Sequence, residues 1–434
     1  MTPPGRPKSE YRSARRAGNP VSAFAYRDGE LHAEGVPMSA IAARFGTPCY
    51  VYSRAALENA YREFDGAFDG VAHLVCYALK ANSNLAILNL FARLGSGFDI
   101  VSGGELARVI AAGGDPAKVV FSGVGKTETE MAEAIKAGIL CFNVESAGEL
   151  ERLNAVAGAH GKRAPVSFRV NPDVDPMTHP YIATGLKQSK FGVAFDDAPA
   201  LFAHAATLPH IAVHGVDCHI GSQVTELSAY VEATAKVIRL VDRIEAAGIA
   251  LRHIDLGGGL GIRYRDEETI DAYEYGLAVR QALGARAHRL LFEPGRFLVG
   301  NAGVLLTRVE YLKPGAEKNF AIVDAAMNDL LRPALYGAWH PVDPVRPRVG
   351  DERHWEIVGP VCESGDFLAH DRTLALAAGD LLAVGAAGAY GMAMSSNYNS
   401  RPRACEVIVD DSSAHLVRRR ERVDELFALE NPLP

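Results

Sequence analysis

What the sequence lacks narrows the field first. In 434 residues there is no run of roughly 18 uncharged apolar residues, so no segment reads as a membrane-spanning helix. Basic residues do not predominate. Lys and Arg number 45 against 52 Asp and Glu, for a formal net charge of −7, and the basic surface expected of a nucleic-acid binder is missing. The six cysteines (Cys49, Cys76, Cys141, Cys218, Cys362, Cys405) form no C-x-x-C pair and show no metal-ligand spacing. With no secretory leader pattern, the expectation is free thiols, no metal and a reducing, cytoplasmic compartment. The dinucleotide fingerprint G-x-G-x-x-G is absent too: its sixth position is Ile262 counted from Gly257 and Tyr264 counted from Gly259.

What is present is ordinary globular material, 48% hydrophobic and 22% charged. Residues 1–20 carry five basic residues and one acidic residue with almost no large apolar side chains, and read as a disordered tail. Residues 21–48, with β-prone Phe24–Tyr26 and Glu30–Glu34, read as a segment that joins a β domain. From His73 a rhythm sets in. Short apolar, β-rich runs at His73–Leu79, Gly97–Val101, Val119–Phe121, Cys141–Val144, Val166–Val170, Ile211–Cys218, Arg252–Leu256 and Leu290–Phe292 alternate with helical patterns. Eight such units predict a (β/α)8 barrel over residues 49–298. Beyond Arg296 short β-prone segments follow one another with Gly and Pro between them, so residues 299–434 are expected to form a β-sandwich or β-barrel domain.

Chemistry on such a barrel gathers at the carboxyl ends of its strands. Those ends are Lys80, Asp99, Ser122, Asn143, Arg169, His219, Gly257 and Glu293. A lysine desolvated at the barrel mouth has a lowered pKa, which suits an amine that must condense with an aldehyde. Gly257-Gly258-Gly259 bring backbone N–H groups close to an anion such as a single phosphate. Glu293-Pro294-Gly295-Arg296 turns an acid and a base toward one place. His219 can lie flat on an aromatic ring while Ser222 donates to phosphate. Taken singly, each has a plainer reading: a solvated lysine, a tight turn, a surface ion pair, a structural histidine. Cys362-Glu363 and Tyr390 stand in polar-rich loops of the β domain. Together the amine, the glycine loop, the acid and the flat histidine describe a pocket for pyridoxal 5'-phosphate.

The motifs Tyr77-Ala78-Leu79-Lys80-Ala81-Asn82, Phe98-Asp99-Ile100-Val101-Ser102-Gly103-Gly104-Glu105-Leu106, His219-Ile220-Gly221-Ser222-Gln223, Gly257-Gly258-Gly259, Glu293-Pro294-Gly295-Arg296, Cys362-Glu363-Ser364-Gly365-Asp366 and Ser395-Ser396-Asn397-Tyr398-Asn399 stand in this order. In them the chain resembles the diaminopimelate decarboxylases, within the alanine-racemase-like (fold-type III) barrel class of pyridoxal phosphate enzymes. The resemblance runs from about Phe24 to the last β segment.

It implies that Lys80 holds the cofactor covalently, that His219 stacks on its ring and that Glu293 pairs with the ring nitrogen. Asp99, Ser222, Gly257, Gly258, Gly259, Pro294, Gly295, Arg296 and Tyr390 would complete the cofactor site. Cys362 would act as general acid. Arg296, Arg332, Tyr336 and Tyr390 would hold the substrate, with the distal carboxylate on Arg296, Arg332 and Tyr336, while Glu363 takes the distal ammonium. The implied reaction converts meso-2,6-diaminopimelate to L-lysine and CO2, the last step of lysine biosynthesis. The implied assembly is a homodimer with shared active sites, in which the loop at Cys362 and Glu363 enters the neighbour's barrel.

Three other readings stand beside it: a diamine-forming decarboxylase acting on ornithine, arginine or carboxynorspermidine, an amino-acid racemase, and a non-catalytic pyridoxal phosphate carrier. Arg332 with Tyr336 speaks against the first, Glu293 against the second and Cys362 against the third. The polar segment Thr178–Phe191 (His179, Thr184, Gly185, Ser189, Lys190) is read as a lid.

Overall fold

The structure, a computed structural model, describes residues 23–175 and 190–434. The expected tail lies outside them, as do residues 178–189 of the expected lid. Eight parallel strands, His73–Ala78, Gly97–Ile100, Val119–Phe121, Cys141–Val144, Ala164–Asn171, Ile211–Asp217, His253–Asp255 and Arg289–Phe292, pair each with the next, and the last with the first. The sheet is therefore a closed TIM-type barrel, as the alternation predicts.

Near-continuous apolar runs suit strands covered on both faces, and Val119–Phe121 and Cys141–Val144 are buried throughout. Caps set where each helix begins after its strand. Ser102 Oγ accepts from Glu105 N, Ser146 Oγ accepts from Glu149 N, and Thr127 with Glu130 closes a capping box. These short strand-to-helix links bring the strands' carboxyl-end residues to one rim.

Inside the barrel, Leu74, Cys76, Val120, Cys141 and Leu291 pack as a small apolar cluster apart from the main core. Against this floor lies a polar layer of buried Asp99, Asn143, Arg169, Asp217, Asp255 and Glu293. Charged groups are that deeply buried only when paired, protonated or put to chemical use.

The second domain is a sheet in the order Phe367–Leu374, Arg353–Val358, Asn319–Val323, Gly303–Lys313, Cys49–Ser53, Cys405–Asp410, Ser413–Arg418. Cys49–Ser53 was placed with the barrel on sequence. Instead it runs antiparallel to Gly303–Lys313 and parallel to Cys405–Asp410, so the barrel domain opens with the helix Arg54–Gly66. A fully buried five-residue strand reads the same in either sheet. Ahead of it, Leu31, Ala33, Met38 and Ile41 pack against Val304, Leu306 and Val407 of this domain.

The two domains meet at the barrel rim. Tyr390 N donates to Ala81 O at 2.8 Å, and Asn82 Nδ2 donates to Gly388 O at 3.1 Å. Tyr390 adopts φ 56°, a left-handed conformation uncommon for a bulky residue, and this turns its ring over the barrel mouth.

Candidate active site

At the rim lies a cavity of about 400 Å³ lined by Lys80, His219, Ser222, Gly259, Gly295 and Arg296 from the barrel. Arg332, Tyr336 and Tyr390 reach it from the second domain.

Lys80 follows the first strand, in the turn Leu79–Ala81. Its Nζ lies 3.0 Å from Asp99 Oδ2, with the lysine side chain 36% exposed to the cavity and Asp99 fully buried. The sequence reading expected desolvation to lower the Lys80 pKa. Burial does oppose the charge, but the carboxylates of Asp99 and Glu293 outweigh it and hold the ammonium above its ordinary range. The correction is physical. A barrel mouth places acids from other strands beside the amine, and no local pattern around Lys80 reports them.

Glu293, at the end of the eighth strand, is buried behind the amine. Asn143 Nδ2 donates to its Oε1 at 3.1 Å, and Ser122 Oγ, which accepts from Asn143 Nδ2, approaches the same oxygen at 3.4 Å. One oxygen each from Asp217, Asp255 and Glu293 lies within 4.8 Å of the others. Burial first, then the charges of Asp255, Asp99 and Asp217, push the Glu293 carboxyl well above the usual range. Burial raises Asp217 likewise, with Asp255 adding to it. The three acids therefore share protons that isolated carboxylates would have released, while the Lys80 charge opposes the rise at Glu293.

The glycine triplet is dictated by packing. A Cβ on Gly258 would stand 2.0 Å from Glu293 O, and one on Gly259 2.2 Å from Gly221 O. Gly257 N donates to Asp255 Oδ1 and Gly258 N to His219 Nδ1, so two of the three N–H groups are spent within the chain. Gly259 is the member that lines the cavity. By accepting from Gly258, His219 Nδ1 is unprotonated, and burial with the nearby Lys80 charge pushes the imidazole well below its ordinary pKa. A neutral, oriented ring results.

Arg296 Nη2 donates to Ser222 Oγ at 3.1 Å and Nη1 to Tyr264 Oη at 2.5 Å, while the Tyr390 ring centre lies 4.8 Å from its guanidinium carbon. Arg332 opens the short helix Arg332–Tyr336, its guanidinium carbon 5.1 Å from the Tyr264 ring centre. The two arginines thus flank one tyrosine.

Cys362 and Glu363 are not brought to this cavity. They stand exposed on a loop of the second domain, where Cys362 N donates to Asn399 Oδ1 at 2.9 Å. Pro294, Gly257 and Gly258 are not among the residues that line the cavity.

An aldehyde that also carries a phosphate and an aromatic nitrogen would find its counterparts here. Lys80 supplies an amine, His219 a flat neutral ring, Glu293 an acid. Asp99 Oδ1 and Arg296 Nε are buried with no hydrogen-bond partner among the described residues, two polar atoms still to be matched.

The sequence model described as pyridoxal-dependent decarboxylase, pyridoxal binding domain, matches residues 54–300. A diaminopimelate decarboxylase of Pseudomonas aeruginosa is 63% identical over 95% of this chain and 100% of its own length. The chain belongs to the diaminopimelate decarboxylases. Among solved structures, the diaminopimelate decarboxylase of Helicobacter pylori complexed with L-lysine aligns with a TM-score of 0.88 at 42% identity, over 91% of this chain and 99% of that one. That of M. jannaschii, also with L-lysine, aligns with a TM-score of 0.91 at 38% identity, over 95% and 98%.

Several residues of the site carry little signal in the sequence. Asp217 and Asp255 are acids inside apolar strand runs, a pattern that could have marked them as buried. Tyr264 and His340 carry no local signal, since only the fold brings them to the arginines.

Proposed function

We propose that the chain is a pyridoxal phosphate-dependent carboxy-lyase that converts meso-2,6-diaminopimelate to L-lysine and CO2. The observation that carries this is the placing of Lys80 Nζ 3.0 Å from buried Asp99, in a cavity that Arg296 and Arg332 also line. Bound there, the cofactor supplies a protonated pyridine ring that draws electrons from the substrate's α-carbon and lowers the barrier to losing CO2.

The residues divide the remaining work. Lys80 would hold the cofactor's aldehyde carbon, with Asp99 steadying the amine. His219 would offer its neutral ring to the cofactor's ring. Glu293, fixed by Asn143 and Ser122, would share its proton with the ring nitrogen. Ser222, Gly259, Gly295 and Arg296 would seat the phosphate end, with Tyr390 reaching the site from the second domain. Arg296, Arg332 and Tyr336 grip the distal carboxylate. Guanidinium pairs with carboxylate bidentately, so a diamine without that group leaves two cations unmatched and is rejected.

Cys362 and Glu363 lie outside their own chain's cavity, and this supports a homodimer in which each copy's loop completes the other's site. Cys362 then delivers a proton to the α-carbon, and Glu363 takes the distal ammonium. No helix among the described residues is long and apolar enough to cross a membrane, and all six cysteines are free. The free thiols support a reducing, cytoplasmic compartment.

The test is incubation of the cofactor-loaded protein with meso-diaminopimelate, L-lysine and L-ornithine in parallel, following CO2. Release from diaminopimelate alone is expected. Release from ornithine with none from diaminopimelate would overturn the assignment.

A further inference from the structure

The two arginines are braced from the side away from the cavity. Arg332 Nε donates to His340 Nε2 at 3.4 Å, and His340 Nδ1 lies 2.9 Å from Gly385 O. A carbonyl oxygen only accepts and a guanidinium N–H only donates, so one tautomer satisfies both contacts. The ring proton sits on Nδ1 and the lone pair on Nε2. A charged ring would set N–H against N–H and cation against cation. Burial, with the Arg332 charge beside it, pushes the His340 pKa down to about 3, and the side chain has no exposed surface. Within any working pH range His340 is a neutral acceptor.

Tyr264 completes the brace. Its ring packs edge-on to His340 with centres 5.2 Å apart, beneath the Arg332 guanidinium, while its hydroxyl takes Arg296 Nη1. Arg372 Nη2 fixes the histidine's backbone by donating to His340 O at 3.0 Å. One tyrosine and one histidine thus set the attitude of both guanidiniums.

We infer that His340 and Tyr264 are positioning residues that aim Arg332 and Arg296 at a single carboxylate, and so set the enzyme's preference for diamines that carry one. This rests on the proposed role of the arginines. Spending Arg332 Nε on His340 directs the terminal nitrogens toward the cavity. The acceptor must be uncharged, because a carboxylate there would compete with the substrate's own.

The test compares L-lysine with 1,5-diaminopentane, which differ by one carboxylate, in calorimetric titrations of the cofactor-loaded protein. His340→Asn keeps a donor for Gly385 O and removes the acceptor for Arg332. It is expected to weaken L-lysine about tenfold and leave 1,5-diaminopentane within about twofold. His340→Gln, which returns an oxygen to the Nε2 position, should restore most of the loss. Equal weakening of both ligands, or of neither, overturns the inference. Tyr264→Phe gives an independent reading: a selective loss for L-lysine supports the brace, and an unselective loss or none counts against it. Arg332→Ala separates the two levels. If it leaves the preference for L-lysine intact, the carboxylate clamp itself fails. If it abolishes the preference while His340→Asn and Tyr264→Phe do not, only the brace fails.

Discussion

Asp99 Oδ2 holds Lys80 Nζ at 3.0 Å, and the second oxygen of the same carboxylate is buried without a hydrogen-bond partner among the described residues. The amine is therefore kept charged until the cofactor arrives, because the acids around it outweigh its burial. Capture of an aldehyde needs the neutral amine, so uptake should speed up with rising pH. Asp99→Asn removes the nearest anion and should move the pH midpoint of cofactor uptake down by about one to two units. The cofactor's visible absorbance, followed after mixing with cofactor-free protein, measures it. An unmoved midpoint would mean that Asp99 does not hold the charge.

Glu293 is buried and fixed by Asn143, and its charge acts on Lys80. Glu293→Gln keeps the shape and removes the acid that would sustain a protonated ring. The turnover number with diaminopimelate should fall by about two to three orders of magnitude, with cofactor content unchanged by absorbance. Near-normal turnover in a fully loaded variant would refute the role.

Cys362 is exposed while Lys80 lines the cavity. If the sites are shared, Lys80→Ala and Cys362→Ala dimers, each inactive, should regain activity when subunits are exchanged. Random pairing makes half the dimers mixed with one intact site each, so about a quarter of the parent activity should return. No recovery after verified exchange would argue for sites within one chain.

Asp255 has its pKa raised from the ordinary 3.8 to about 7, chiefly by burial, with the Asp99 charge adding to it. Between those values the folded chain keeps a proton that the unfolded chain has lost, so stability falls as pH rises from about 4 to about 7. Asp255→Asn keeps an acceptor for Gly257 N and removes the titration. Its thermal midpoint relative to the parent, measured without cofactor, should be higher at pH 8 than at pH 5 by at least about 2 °C. A difference that does not change with pH would place the proton elsewhere in the cluster.

The barrel was legible because a buried parallel strand and its helix leave a local signature: an apolar run, a polar end, a cap. Lys80, His219 and Glu293 sit at strand ends and could be read there, and so could Ser122 and Asn143, whose hydrogen bonds to Glu293 give their place a purpose. What could not be read depends on distant pairings. The charge on Lys80 is decided by acids on the second and eighth strands, and the tautomer of His340 by a carbonyl from Gly385. Cys49–Ser53 falls within the residues expected for the barrel yet lies in the second domain's sheet, since its ladder partners come from far along the chain.

That last pairing bears on how the protein is made. Cys49–Ser53 leaves the ribosome before the barrel, yet both of its neighbours, Gly303–Lys313 and Cys405–Asp410, follow it. At ordinary translation speeds the wait is on the order of tens of seconds, and throughout it an apolar strand has two open edges. Nascent chains stalled before residue 303 should thus be the species most prone to clump and most in need of chaperone cover.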